Sequence, residues 1–204
     1  MVDPSKITNY NLTDRELEEV ILFWVLAAGK NGTTAARCLD TLMRKIGGYI
    51  FGPFNALRLE LNNQDAGWLP FGSQKKLTSW LEESGIGCYT HKARTISELV
   101  KSDLNLRTCS AEELETIYGI GMKTSRCFII HSRPMALYAG LDTHILKFLD
   151  TVGVESVPKH TPSSKKEYLR LERAFLMQAE KCRKSPAELD LIIWNELKVV
   201  SKLM

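Results

Sequence analysis

The sequence predicts an all-α protein whose helices form two lobes, and three observations predict it. Apolar residues recur at helical spacing in separate segments, Leu39, Leu42, Met43 and Ile46 in one and Leu189, Ile192, Ile193, Leu197 and Val200 in another. Residues 114–149 read as helix, glycine turn, helix, extended link and helix. Beyond Asp150 the chain turns polar over residues 157–166 before two further helical segments, which are expected to fold back against the N-terminal residues as a second lobe. The 204 residues suffice for a packed core and fit a single domain, without internal repeats or low-complexity tracts.

Taken in order, residues 14–28 form the first helix. Acids occupy its first turn, and Val20 to Leu26 is too continuously apolar for a surface helix, which places it in the core. Gly29-Lys30-Asn31-Gly32 breaks it, and Thr33 or Thr34 caps the next helix, 35–46. Residues 47–72 are expected to be the least regular part, because Gly47-Gly48, Gly52-Pro53 and Leu69-Pro70-Phe71-Gly72 interrupt Tyr49, Phe51, Phe54 and Trp68. Helix 74–83 puts Leu77, Trp80 and Leu81 on one side and Lys75 and Lys76 on the other. After Gly87, a helix carrying Lys92 and Arg94 packs through Ile96, Leu99 and Val100. Near the C-terminus a helix covers about 166–181, and another covers about 185–200, with Ser185 as cap, Pro186 at the first helical position and Glu188 as first-turn acid.

The central unit holds the chemistry. Leu114, Ile117 and Tyr118 give one helix an apolar face, Gly119 and Gly121 allow a tight turn with positive φ, and Lys123 opens a second helix through Phe128, Ile129 and Ile130. Free amides at that helix start suit an anion. Ser132-Arg133-Pro134 stops the helix, and Asp142 stands at the N-cap of a third, through Ile145 to Leu149. Taken alone, a lysine early in a helix is a solvated charge and an aspartate before a helix is a cap. Together they support amine chemistry. A lysine is nucleophilic only when neutral, and its reference pKa of ~10.4 leaves it charged at pH 7 unless an apolar pocket lowers that value. Neutral Lys123 would attack C1′ of an extruded nucleotide and form a Schiff base; the Asp142 carboxylate would stabilise the developing oxocarbenium charge or take the amine's proton.

These residues resemble those of the helix-hairpin-helix DNA glycosylases, a superfamily that includes endonuclease III and the 8-oxoguanine glycosylases. Its motif, Leu-Pro-Gly-Val-Gly-x-Lys-Thr-Ala followed by Val-Asp-Thr-His-Ile, is met here by Ile117-Tyr118-Gly119-Ile120-Gly121-Met122-Lys123-Thr124-Ser125 and Leu141-Asp142-Thr143-His144-Ile145. Lys123 and Asp142 lie 19 positions apart, within the family's range. A second stretch, Ile86-Gly87-Cys88-Tyr89-Thr90-His91-Lys92-Ala93-Arg94, is similar to the family's Gly-x-Tyr-x-x-Lys-Ala, and the resemblance covers roughly residues 17–150.

The resemblance implies one two-lobed glycosylase domain over 1–204, with one lobe at 18–132 ending in a hairpin at about 112–131 and the other at 1–17 plus 133–204, the active-site cleft between them. It implies base excision with AP lyase activity on double-stranded DNA bearing a damaged, oxidised base. Backbone grip would come from Gly119, Gly121, Met122 and Thr124, with Lys92 and His144; Lys30 and Asn31, in the break after the first helix, would enter the DNA. Trp24, Phe51, Trp68 and Phe71 are candidates for the base pocket. Two alternatives stay open: a base-modifying transferase on the same fold, of the viral thymine-hypermodification type, and a non-catalytic binding module.

The rest of the composition bounds these expectations. A net charge of +3 suits local rather than general basic contacts with DNA. Cys38, Cys88, Cys109, Cys127 and Cys182 are odd in number with no C-x-x-C pair, so no disulfide framework and no metal site is expected. Some family members carry an iron–sulfur cluster after the catalytic unit, but here only Cys182 lies there, and no cofactor is expected. Residues 1–13 are polar without a signal-peptide core, and no apolar run spans a bilayer. The protein is expected to be a monomer located inside the cell with its DNA.

Overall fold

The computed structural model describes the backbone of residues 2–65 and 72–200 and the side chains of 2–62 and 75–196. Its described residues form α-helices and no strand. They divide into two compact units, one built on Asn11–Gly121 with the N-terminal residues up to Ile7, the other on Met122–Met204 with Thr8–Tyr10. The division falls at the hairpin turn, ahead of the position after residue 132 at which the sequence reading divided the lobes. The helix that follows the turn therefore belongs to the second unit.

The first unit begins with α1 (Asp14–Ala27), opened by a capping box in which the Thr13 hydroxyl accepts from the Glu16 amide at 3.3 Å and Glu16 accepts from Thr13 N at 2.8 Å. As expected from its unbroken apolar run, Ile21, Leu22 and Leu26 are fully buried. Helix α2 (Gly32–Ile46) is capped by Asn31 rather than by Thr33 or Thr34: Asn31 Oδ1 accepts from Thr34 N at 2.7 Å. Gly47, at φ +67, ends α2 in the left-handed conformation.

Residues 48–65 are helical, contrary to the irregularity expected of them. A single turn, α3 (Gly48–Phe51), leads into α4 (Pro53–Asp65), where proline stands at the first helical position because its missing N–H is one that helix starts leave unpaired. The Phe54 amide is satisfied from a distance by the Glu18 carboxylate at 2.9 Å. Phe54, Leu57 and Leu61 are buried along one face of α4. Helix α5 (Gly72–Glu83) buries Leu77 and Leu81, and α6 (Tyr89–Lys101) buries Ile96, Leu99 and Val100. A last short helix, α7 (Ala111–Glu115), precedes the turn.

The second unit comprises α8 (Met122–Ser132), α9 (Thr143–Thr151), α10 (Lys165–Lys181) and α11 (Pro186–Val200). Helix α11 packs on α8, α9 and α10, and α9 packs on α10. Their shared core is Leu141, Ile145, Leu146 and Leu149 against Tyr168, Leu171 and Phe175 and against Leu189 and Ile193. The Ser185–Glu188 cap forms as expected, with Ser185 Oγ accepting from Glu188 N at 3.2 Å. The side chains of Leu197 and Val200 lie outside the described residues. No described helix is long and apolar enough to cross a membrane.

Candidate active site

The hairpin turn is held by α6. Tyr118 N donates to Glu98 Oε2 at 3.2 Å, the Arg94 guanidinium lies 3.8 Å from the centre of the Tyr118 ring, and the Tyr118 hydroxyl meets His91 Nδ1 at 2.6 Å. The two motif segments recognised separately in the sequence are therefore one structure. Gly119 has φ +80, and a Cβ there would stand 2.2 Å from Thr95 Oγ1. Gly121 is different from what the turn chemistry predicts: its φ is not positive, and an added Cβ would enter open space. Gly119→Ala should therefore cost about 1–3 kcal/mol, from overpacking on top of backbone strain. Gly121→Ala should leave stability within about 0.5 kcal/mol. Equal losses in thermal denaturation would contradict this division of roles.

Several expected DNA contacts have other occupations. Lys92 is buried, and its Nζ donates to Leu26 O at 2.7 Å, satisfying a carbonyl at the end of α1 that the helix leaves open. Burial lowers its pKa. The Thr124 side chain is buried too, which leaves its amide as the group it can present, and Met122 packs against the second unit's core. Lys30 is exposed, as is Asn31, whose carbonyl is spent on the α2 cap. Gly119 and Gly121 are exposed, and His144 is half-buried. Of the pocket candidates, Trp24 packs edge-on against Phe23 at 5.1 Å and Phe51 stands 59% exposed. Trp68 and Phe71 lie outside the described residues.

Lys123 and Asp142 do come together, within the second unit. Asp142 is the N-cap of α9, and both cap bonds end on one oxygen: Oδ1 accepts from His144 N at 2.8 Å and from Ile145 N at 3.0 Å. Oδ2 has no part in the cap. Burial raises the Asp142 pKa, the Asp190 carboxylate raises it further, and Lys123, the Ile145 amide and His144 pull it down, with a net upward shift. For Lys123, burial works against the ammonium, but negative charge at Cys127, Asp142 and Asp190 more than offsets it and holds the pKa above the ordinary lysine value. Burial drives the Cys127 thiol up to about 12. Cys127 therefore adds to the hold on Lys123 only at pH values above that, and below it Asp142 and Asp190 are the acidic groups that act on the amine.

The sequence expectation of a lysine with lowered pKa is corrected here. The Lys123 amine shares the site with two acidic side chains, Asp142 and Asp190. One of those, Asp190 on α11, was not picked out in the sequence, nor were its partners. Its side chain is 14% exposed, and because a carboxylate only accepts, His131 Nε2 is the donor in their 3.1 Å bond. The Thr8 hydroxyl closes the other side of the fully buried ring, 2.7 Å from Nδ1. The only sequence signal for Asp190 is that it is a lone acid in the apolar run Leu189 to Trp194.

The link that delivers Asp142 is packed directly on α8. A Cβ on Gly140 would lie 2.1 Å from Cys127 Sγ. Gly140→Ala should destabilise by about 1–3 kcal/mol, and Cys127→Ala in the same chain should return most of that loss. Failure of the second change to restore the melting temperature would show that the link is constrained elsewhere.

No protein-family model matches the chain. Among solved structures it is similar to the 8-oxoguanine DNA glycosylase of Thermotoga maritima, with TM-score 0.66, 26% identity, and 91% of this chain and 81% of that one covered. It is also similar to the Methanocaldococcus jannaschii 8-oxoguanine glycosylase/lyase in complex with a 15mer DNA containing 8-oxoguanine, with TM-score 0.65, 21% identity and 90% and 81% covered. A second structure of the Methanocaldococcus jannaschii 8-oxoguanine DNA glycosylase agrees, with TM-score 0.65, 21% identity and 93% and 81% covered. Eleven helices among the described residues, a glycine turn on α6 and a capping aspartate beside an early-helix lysine are thus the parts of a chain with the helix-hairpin-helix DNA glycosylase fold, whose structural neighbours are 8-oxoguanine DNA glycosylases.

Proposed function

We propose that this protein is a DNA glycosylase with AP lyase activity that removes an oxidised base, 8-oxoguanine first among the candidates, from double-stranded DNA. The observation that carries this is the pairing of Lys123 with the raised-pKa carboxylate of Asp142 at the start of α8. An ammonium cannot attack, so the chemistry begins with its proton. Entry of an extruded nucleotide removes the remaining water and favours the neutral pair, in which Lys123 passes a proton to Asp142 Oδ2. The amine then attacks C1′, the N-glycosidic bond breaks with its electron pair going to the base, and the base leaves after taking up a proton. The C1′–O4′ bond of the resulting aminal then breaks, O4′ taking up a proton as the sugar ring opens, to give the Schiff base; removal of a C2′ proton then expels the 3′ phosphate by β-elimination.

Backbone grip fits the same picture. The exposed Gly121, with open space where a side chain would project, lets a phosphate approach the amides that open α8. DNA affinity should fall as salt rises, as it does for any binder that displaces phosphate counterions.

Borohydride trapping tests the assignment. Duplexes carrying a single 8-oxoguanine, oxidised pyrimidine, uracil or abasic site are incubated with protein and reductant, and the covalent adduct is resolved by electrophoresis. Adducts at 8-oxoguanine and at the abasic site are expected. DNA binding without an adduct on any substrate would reduce the protein to a binding module.

A further inference from the structure

The carboxylate and the amine sit on different segments, so something must set the distance between them. Asp142 ends an extended link, residues 138–141, and Lys123 stands on α8. Both are tied to one buried polar group of side chains on α10. Glu172 Oε1 accepts from Ala139 N at 3.0 Å and from Arg126 Nε at 2.9 Å, so one carboxylate oxygen holds the link and the helix together. Arg126 is one turn beyond Lys123, and its side chain is 1% exposed. The Tyr168 hydroxyl donates to Ala139 O at 2.8 Å and accepts from Leu141 N at 3.1 Å, bracketing Gly140. The Arg126 guanidinium lies 5.1 Å from the Tyr168 ring centre and 5.5 Å from that of Tyr138. Thr161 Oγ1 donates to Leu141 O at 2.7 Å, completing the hold on the residue before the aspartate.

A core needs none of this. Burying an arginine, a glutamate and a tyrosine hydroxyl is costly unless every polar atom is matched, and an apolar trio of similar volume would pack as stably. What the polar group adds is direction: hydrogen bonds set the link's position to a few tenths of an ångström, where apolar contacts allow sliding. We propose, building on the glycosylase assignment above, that Tyr168 and Glu172 are positioning residues that fix Asp142 relative to Lys123. They touch neither DNA nor the reacting atoms. Their effect runs through the Ala139–Leu141 backbone to Asp142, and through Arg126 to α8.

The test uses the full chain with Tyr168→Phe, Glu172→Gln and a control, Phe175→Leu, which weakens the same helix at a fully buried apolar position and removes none of the link's hydrogen bonds. Tyr168→Phe removes one oxygen and keeps the ring beneath Arg126, so it is the variant that folds if Glu172→Gln does not. Two readouts are taken. The single-turnover rate of borohydride trapping at an abasic site should fall about tenfold or more in Tyr168→Phe, with DNA affinity unchanged, since small misplacements of reacting groups carry penalties of that order. Nitrogen-detected NMR titration of Lys123 in the free protein should show its pKa moving down, because the Asp142 carboxylate that raises it is no longer held in place. Phe175→Leu, at a comparable loss of melting temperature, should do neither. Equal slowing in Phe175→Leu, or an unchanged rate and an unchanged Lys123 titration in Tyr168→Phe, would overturn the proposal. If the wild-type protein traps no substrate at all, the glycosylase assignment fails by itself, and the positioning role stands or falls on the Lys123 titration alone.

Discussion

Lys123→Gln is expected to abolish borohydride trapping at every lesion and at abasic sites, because the delocalised amide nitrogen is not a nucleophile toward C1′. The same substitution should also destabilise the protein at neutral pH. The folded pKa of Lys123 is raised, so its contribution to stability is fully present below the unfolded value of ~10.4 and is lost as pH rises through the folded one. Glutamine removes that contribution and leaves Asp142 facing Asp190 without a cation, a loss on the order of 1–3 kcal/mol. Thermal melts at pH 7 would show it. Adding Asp142→Asn to Lys123→Gln should recover stability but not trapping; recovery of neither would mean that the two carboxylates do not feel each other as described.

Asp142→Asn separates the aspartate's two roles. Asparagine is as good an N-cap as aspartate, and its carbonyl oxygen can keep both bonds to His144 N and Ile145 N, so α9 should hold. Base release should fall by a factor on the order of 10³ or more, the scale on which losing a preorganised charge acts, while DNA affinity stays close to wild type. Stability should move the other way. Because the folded pKa of Asp142 is raised, the native state binds its proton more tightly than the unfolded chain, and stability falls as pH climbs from ~3.9 through the folded value. Asparagine escapes that penalty. The variant should melt at or above wild type at pH 7, with the gap closing below about pH 3.9. A variant that melts well below wild type at neutral pH would make the carboxylate a structural element first.

The cost falls on Asp142 alone, since the raised pKa of Lys123 is stabilising, and the surrounding apolar core of Leu141, Ile145 and Leu149 against Tyr168 and Phe175 supplies the stability that offsets it.

Much of the fold was legible because local signals dominate in helices. The unbroken run Val20 to Leu26 announced a core helix, the Ser185–Glu188 cap with Pro186 announced the start of α11, and Asp142 before Thr143 announced that of α9. Residues 48–65 depart from the irregularity the sequence predicts, which rests on Gly47, Gly52 and Pro53 as breakers of structure. They are breaks between helices instead: Gly47 and Gly52 carry positive φ at helix ends, and Pro53 starts the next helix, with Phe54, Leu57 and Leu61 spaced along its buried face.

The site divides along the same line. From the chain of letters alone came the lysine, the aspartate and the glycine turn, because each lies next to the helix end that gives it meaning and the spacing between them is short. Only the tertiary structure decided that Lys92 turns inward to the end of α1, that Gly121 needs no positive φ, that Asp190, bonded to His131, acts on both Lys123 and Asp142, and that the Lys123 pKa is raised rather than lowered. Those facts depend on side chains meeting across tens of residues. A pKa, in particular, is a property of the charges and solvent around a group, and a sequence names the group without naming its surroundings.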